Sequence, residues 1–392
     1  MGDTKERYVI LDFLRGFAIS GICLANFPEF ALYTFQPSDV AVAMPTAGID
    51  KVVKYMLYIF VDGKFYTIFS LLFGAGFSII LSNALKNNKN GLRIFYRRMV
   101  ILLFIGLFHL ICLWAGDILI LYAFLGLILP LFRNLTNKKL LISTVILLLL
   151  PVVIDLCITL FDWNLSAPAI KATKHFHDKF GITDNNFPVW LAEATSYVDV
   201  LKFNLAGSFI RMQEFIEGNR AFKVLGLFIT GYYIGKTRLY ATLGAHETCL
   251  RKIRNSCLLT GLPFSILYAW NIMNGYPFGL SGTAALYVIS VFPLSFAYIS
   301  TICLCFIKNK EKRIYKLIAA PGKMALTNYL MQSVFGIILF YGIGFRMGAK
   351  TGLVHVEWIA FAVFLLQVLY SNVWLRYYRL GPVEWGWRKL IN

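Results

Sequence analysis

Residues 97–127 read RRMVILLFIGLFHLICLWAGDILILYAFLGL, and the fold follows from this stretch. One histidine, His109, and one carboxylate, Asp117, interrupt a run that is otherwise apolar, aromatic, glycine or cysteine from Met99 to Leu127. An apolar run of this length predicts two membrane-spanning helices joined by a short turn. Because a polar group in hydrocarbon is costly unless it finds a partner, these two side chains are the first candidates for function.

The composition indicates a membrane protein throughout. Of the 392 residues, 58% are hydrophobic and only 15% are charged, which is typical of a polytopic helical chain. The formal net charge of +18 would suggest a nucleic-acid partner in a soluble protein. Here most lysines and arginines fall in alternate loops, as the positive-inside rule requires, so we expect no nucleic-acid partner.

The apolar pattern predicts an all-α polytopic helical membrane protein with about ten transmembrane helices and both termini cytoplasmic. The predicted spans are 9–27, 54–82, 98–114, 117–132, 140–161, 221–236, 255–273, 283–307, 324–345 and 356–375. We assign one transmembrane domain over 1–392, with an external lid-like loop at 162–220 whose segment 200–219 lies along the membrane surface. The seven cysteines form no CxxC pair, and we expect neither disulfides nor a metal site.

The first predicted helix carries a pair of opposite charges. Asp12 and Arg15 are three residues apart, so they share a helix face and can form an ion pair. Alternatively, the planar guanidinium of Arg15 binds an anion. Asn26 stands near the other end of this helix, where an amide can bond to a neighbouring helix.

Further charges follow in the second span and in the basic loop after it. Asp62 and Lys64 fall inside the span, either as a structural pair or as functional groups, and Gly63 between them allows a break. Arg97 and Arg98 are either topology anchors or, with Arg15, the mouth of a site for a phosphorylated donor.

His109 is the first candidate for carrying a proton. A neutral imidazole can accept a proton from an attacking hydroxyl or amine if a carboxylate orients its other nitrogen. Asp117 is a plausible orienter after the turn, and Asp12 or Asp62 could serve across helices. The alternative is that His109 only forms a hydrogen bond that holds the bundle together.

Three polar or aromatic side chains complete the candidate site. Trp114 marks the outer interface and belongs to the candidate binding residues or to an aromatic belt. Asn328 and Gln332 are four residues apart and share a helix face, so they point into a polar cavity or join two helices.

Five motifs together resemble the YeiB-like family, bacterial inner-membrane proteins with a domain of unknown function. The motifs are LDFLRGFAISGICLANF at 11–27, FSLLFGAGFS at 69–78, GLFHLICLWAGDIL at 106–119, GKMALTNYLMQS at 322–333 and GPVEWGWRKL at 381–390. That family distantly resembles the transmembrane acyltransferase superfamily through Asp12, Arg15 and Gly16. Superfamily members use a histidine near the end of the first helix or just before the second. Here Asn26 ends the first helix, and no histidine occurs before His109.

The resemblance implies a multi-pass protein of the bacterial inner membrane that uses cytoplasmic acyl-CoA as co-substrate, without a metal. The acceptor is a hydroxyl or amine of an envelope glycan or small metabolite. His109 is then the general base, oriented by Asp117 or Asp12, and the other candidates bind donor or acceptor. Two alternatives stay open: a transporter or lipid/metabolite binder without catalysis, and a structural protein whose polar groups only join helices. Membrane lipid is an expected partner, and homodimer formation is left open.

Overall fold

The computed structural model describes residues 8–391, and every regular element in that range is helical. The first nine α-helices are α1 Val9–Phe30, α2 Ser38–Ala43, α3 Ala47–Phe60, α4 Lys64–Lys86, α5 Gly91–Phe108, α6 Leu119–Ile128, α7 Asn137–Phe161, α8 Ala167–Phe180 and α9 Trp190–Glu193. The remaining eight are α10 Tyr197–Glu217, α11 Arg220–Lys236, α12 Glu247–Met273, α13 Gly279–Lys308, α14 Arg313–Lys323, α15 Ala325–Phe340, α16 Leu353–Tyr377 and α17 Pro382–Ile391.

Within residues 8–391, seven helical segments are long and apolar enough to cross a membrane. An eighth is the pair α14 and α15, which is bent by 74° at Met324. The helix that includes α6 is apolar but shorter, and α11 has 17 residues. These two short elements and the bent pair are why length and composition support about seven spans rather than the ten that we predicted.

The second span is a broken helix. Segments α3 and α4 together form one spanning candidate, Ala47–Lys86. Gly63 separates them with a φ of +75°, a left-handed conformation that only glycine adopts without strain. The break that Gly63 was expected to allow is therefore present.

The segment 162–220, predicted as a lid-like loop outside the membrane, is largely helical. It contains α8, α9 and α10, and α10 is not among the spanning candidates. Its start is fixed by a capping box, in which Ser196 and Asp199 bond to each other's backbone N–H. The hydrogen bonds from Ser196 hold the pKa of the Asp199 carboxyl below its ordinary value.

Helices α1 and α14 touch backbone to backbone. A Cβ on Gly16 would overlap the carbonyl oxygen of Ile318, and one on Gly322 would overlap that of Asp12. The glycine that follows Arg15 in the first motif is thus a packing residue, and it lets the two helices that carry Arg15 and Lys323 approach closely.

Replacing Gly322 with alanine is expected to destabilise the protein by about 1–3 kcal/mol, because the added methyl must push two backbones apart. The measurement is the thermal midpoint of detergent-purified protein. Gly386→Ala is the matched control, since a Cβ there meets nothing within 4 Å. An unchanged midpoint for Gly322→Ala would show that the α1–α14 contact is looser than described.

Candidate functional site

One internal cavity of about 670 Å³ lies among α1, α4, α5, α11 and α15. Its first part, which we call the hinge end because it adjoins the bend at Met324, is lined by Asp12, Arg15, Arg98, Lys323, Glu384 and Trp387. Its middle, the waist, is lined by Phe69, Phe73, Phe77, Met99 and Leu102. Its far part, the tyrosine end, is lined by Tyr66, Tyr268, Tyr287, Asp62, Arg220 and Lys223.

The cavity is long enough to follow most of a membrane-spanning helix. Arg15 and Glu29, both on α1, line it and are fourteen positions apart, about 21 Å at the rise of an α-helix. The two polar ends are therefore separated by an apolar, aromatic waist. Such a shape fits an elongated ligand with polar groups at both extremities.

At the hinge end, two cations are available to a ligand and one is paired. Arg15 donates to Asp12 at 2.8 Å, which confirms the predicted ion pair. Arg98 stacks against Trp387, with 5.7 Å from its guanidinium carbon to the ring centroid, and its Nε has no hydrogen-bond partner among residues 8–391. Lys323 adds a third positive charge to this end.

The hinge end is held by α17. The Glu384 carboxylate accepts hydrogen bonds from the backbone N–H groups of Leu326 and Thr327, at 2.8 and 3.0 Å. It also accepts one from the Thr327 hydroxyl at 2.5 Å. Glu384 thus caps the first turn of α15, where a negative charge is favoured by the helix dipole, and fixes Trp387 beside Arg98.

His109 forms a buried chain of three polar side chains. Its Nδ1 donates to Asp117 at 2.8 Å, and the Ser333 hydroxyl lies 2.7 Å from its Nε2. The second Asp117 oxygen accepts from the Ile120 N–H at 2.8 Å. The predicted His109–Asp117 contact is therefore present, while Ser333 was not predicted, because it lies 224 positions away on α15.

His109 does not line the cavity, although a group that takes a proton from a bound acceptor has to reach it. It is fully buried and begins a π-helical turn, His109–Leu113, at the end of α5. The Tyr329 ring, which does line the cavity, lies 5.0 Å from the imidazole centroid. A proton-carrying role for His109 stays a prediction, and the geometry also satisfies the alternative of a hydrogen bond that joins α5 to α15.

The other predicted residues divide into two groups. Five of them, Asp12, Arg15, Asn26, Asp62 and Arg98, line the cavity, and five do not: Lys64, Arg97, Trp114, Asn328 and Gln332.

Each residue outside the cavity has another partner. Lys64 does not pair with Asp62: it is fully buried and donates to the Tyr58 carbonyl at 2.7 Å. Arg97 donates to the carbonyl of Ile391. Trp114 packs against Phe30, with 4.3 Å between the two ring centroids.

Asn328 and Gln332 face α16 and α1 rather than the cavity. The Asn328 amide donates to Ser371 at 3.1 Å, and the Gln332 amide donates to Gln367 at 3.0 Å. The Gln367 side-chain amide in turn donates to the backbone carbonyl of Asn328 at 2.8 Å. Of the two roles considered for these residues, joining helices is therefore the one observed.

Several cavity residues were missed from sequence: Glu29, Arg211, Arg220 and Lys223. Glu29 lies in the last turn of α1, and its carboxylate makes no hydrogen bond within residues 8–391. The sequence did contain a signal for Lys223, because this charged residue falls inside the predicted span 221–236. Arg211 holds the turn after α5, donating to the carbonyls of Gly116 and Asp117.

The fold and cavity define a multi-helix membrane protein with a ligand-sized internal site. Residues 234–392 match the family described as "Protein of unknown function (DUF418)". The chain is 29% identical to uncharacterized protein YxaH of Bacillus subtilis, over 98% of this chain and 94% of that protein. It is also 29% identical to uncharacterized protein YeiB of Escherichia coli, over 98% and 96%.

A third relative, an uncharacterized 39.9 kDa protein of Bacillus acidopullulyticus, is 24% identical over 98% of this chain and 94% of its own length. No solved structure matches the chain. The C-terminal part thus matches the DUF418 family, and the predicted resemblance to YeiB-like proteins is confirmed. The more distant resemblance to acyltransferases stays a prediction.

Proposed function

We propose that this protein is a membrane acyltransferase that moves an acyl group from acyl-CoA to a hydroxyl or amine of an envelope glycan or small metabolite. The observation that carries the proposal is the single cavity joining a cationic hinge end to a second polar end through an apolar waist. A donor entering at one end and an acceptor entering at the other could meet inside it.

The proposed topology has ten crossings in the bacterial inner membrane. It adds α6 and α11 to the seven long segments and the bent pair α14–α15. The basic loops then lie in the cytoplasm with both termini, and the hinge end lies nearer the cytoplasm. The tyrosine end faces the outside, below α8 to α10.

In this arrangement the cations of the hinge end hold the donor phosphates. The fork of Arg98 is free of hydrogen bonds at Nε, and Arg15 and Lys323 add charge beside it. The aromatic waist accommodates the uncharged arm of CoA, and the thioester points toward the tyrosine end. Asn26 and Asp62 lie where the acceptor would bind.

The transfer needs a base in contact with the acceptor. The acceptor gives up its proton, its oxygen or nitrogen attacks the thioester carbonyl, the C–S bond breaks, and the CoA thiolate takes a proton to leave as the free thiol. Glu29 suits the role of base, because its carboxylate lines the cavity and makes no hydrogen bond in the described chain. His109 could serve only if the Tyr329 side chain moved.

Arg98→Gln is expected to weaken CoA binding by about tenfold, the effect of losing one charge-assisted contact to phosphate. The measurement is calorimetric titration of the purified full-length protein with CoA. Arg97→Gln is the matched control, because Arg97 is one residue away but outside the cavity and should leave the affinity unchanged. Equal affinities for the two variants, or no CoA binding by the wild type, would count against the donor site.

One observation favours the alternative of transport or binding without catalysis: no histidine lines the cavity in the part of the chain that is described. Reconstituted vesicles separate the two functions. A transporter would move its solute without CoA, whereas the acyltransferase releases free CoA thiol from acyl-CoA in the presence of acceptor.

A further inference from the structure

The first turn of α11 presents two cations to the tyrosine end, and neither has an acceptor. Arg220 and Lys223 both line the cavity, and Lys223 is only 8% exposed. Neither side chain makes a hydrogen bond or an ion pair with any residue from 8 to 391. A buried ammonium whose N–H groups have no acceptor is costly, so its retention indicates a partner that the described residues do not supply.

Both cations lie against aromatic faces. The Arg220 guanidinium lies 5.4 Å from the Tyr66 ring centroid, and the Lys223 Nζ lies 4.0 Å from that of Tyr287. The hydroxyls of the two tyrosines are 2.5 Å apart and hydrogen-bonded, which fixes both rings. Cation–π contacts position the charges while leaving their N–H groups free to donate elsewhere.

The backbone adds positive potential at the same place. Arg220 and Lys223 occupy the first turn of α11, whose N-cap residue, Asn219, makes no side-chain bond to the helix. Instead the Asn219 amide donates to Asp155 at 2.6 Å. The N–H groups of this first turn are therefore not capped by Asn219. Together with the helix dipole they favour a negative charge at this place.

Most neighbouring acids already accept hydrogen bonds from other donors. Asp62 accepts from the Tyr268 hydroxyl at 3.0 Å, and Glu217 accepts from the Ser166 hydroxyl at 2.7 Å. Asp155 accepts from Asn219, as described above. Glu214, which is also within electrostatic reach of Arg220, accepts from Arg211 at 2.6 Å. Glu29 is a further acid within reach of Arg220. Asp155 and Asp62 lie within electrostatic reach of Lys223, but no acid in residues 8–391 forms an ion pair with Arg220 or Lys223. The side-chain N–H groups of both cations therefore stay free to donate to a ligand.

We propose that Arg220 and Lys223 bind an oxyanion, namely a phosphate group on the ligand of the tyrosine end. A guanidinium fork, an ammonium and free helix N–H groups together match the several oxygens of a phosphate. The phosphate comes from a soluble phosphate ester or from a lipid head group. The site exists whether or not acyl transfer occurs. The interpretation of this phosphate site as the acceptor site of an acyltransferase rests on the proposed function.

The first experiment titrates purified full-length protein, without acyl-CoA, with inorganic phosphate and with glycerol 3-phosphate, by calorimetry and thermal shift. Lys223→Met and Arg220→Gln are each expected to weaken binding by about tenfold. Lys236→Met, at the other end of α11, is the control and should bind normally, because Lys236 donates to the Leu135 carbonyl at 2.8 Å. Without added anion, Lys223→Met should unfold at the same temperature as the wild type or higher.

The second experiment distinguishes the sources of the phosphate. Native mass spectrometry counts the phosphatidylglycerol and phosphatidylcholine retained by the wild type and by Lys223→Met. Selective retention of phosphatidylglycerol that depends on Lys223 identifies a lipid head group, and saturable binding of glycerol 3-phosphate without it identifies a soluble ester.

The proposal is overturned if Lys223→Met binds every probe as the wild type does. It is also overturned if no probe binds the wild type, and a lower unfolding temperature of Lys223→Met would then show that the lysine is structural. Neither readout involves acyl-CoA, so failure of acyl transfer would leave this assignment standing.

Discussion

Phenylalanine in place of Gly76 is expected to reduce CoA binding and acyl transfer by about 100-fold or more, while the protein still folds. Gly76 lies on α4 and lines the cavity close to Phe73 and Phe77. A Cβ at this position meets no atom within 4 Å, so a side chain can enter the open space without displacing backbone. A ring placed there occupies the volume that the donor needs, and a donor that cannot align with the acceptor loses the whole advantage of proximity.

The measurement is release of CoA thiol together with calorimetric CoA binding and the thermal midpoint. Because glycine inside a helix costs about 0.5–1 kcal/mol relative to alanine, the midpoint of Gly76→Phe should not fall. Gly48→Phe is the matched control: a Cβ there also meets nothing within 4 Å, and Gly48 does not line the cavity. Full activity in a folded Gly76→Phe variant would mean that the donor does not use the cavity.

The second large effect is expected from Asp117→Ala, which should destabilise the fold by about 3 kcal/mol. Asp117 is 1% exposed and accepts from both His109 and the Ile120 N–H. Its removal leaves two buried donors without an acceptor, each costing about 1–3 kcal/mol. The loss should appear as a lower thermal midpoint of the detergent-purified protein.

Asp117→Asn gives the internal comparison for this prediction. Its side-chain oxygen can still accept one of the two hydrogen bonds, so its midpoint should lie between those of the wild type and Asp117→Ala. If all three proteins unfold at one temperature, the chain from Ser333 through His109 to Asp117 does not hold α5, α6 and α15 together.

Local pairs were predictable from the sequence because helix geometry fixes them. Asp12 and Arg15 are three residues apart on α1, and their ion pair follows from that spacing. His109 and Asp117 are separated by one turn between two consecutive helices, which brings them together in almost any packing. The membrane class was also predictable, since apolar runs of this length have few other uses.

Contacts between distant helices were not predictable. Ser333 reaches His109 only because α15 packs beside the end of α5, which no spacing encodes. Asn328 and Gln332 do share a face, as their four-residue spacing requires, but the spacing cannot say whether that face meets the cavity or α16. The possible pair of Lys64 with Asp62 does not form, because the left-handed turn at Gly63 directs the lysine to the Tyr58 carbonyl instead.

The most direct test of the account is an electron cryomicroscopy structure of the protein with saturating CoA. The proposed donor site predicts ligand density that begins at Arg98 and Lys323 and runs through the waist past Phe73. The thiol of CoA should point toward the tyrosine end. Density for CoA at any other place, or a cavity that stays empty under saturating CoA, would contradict it.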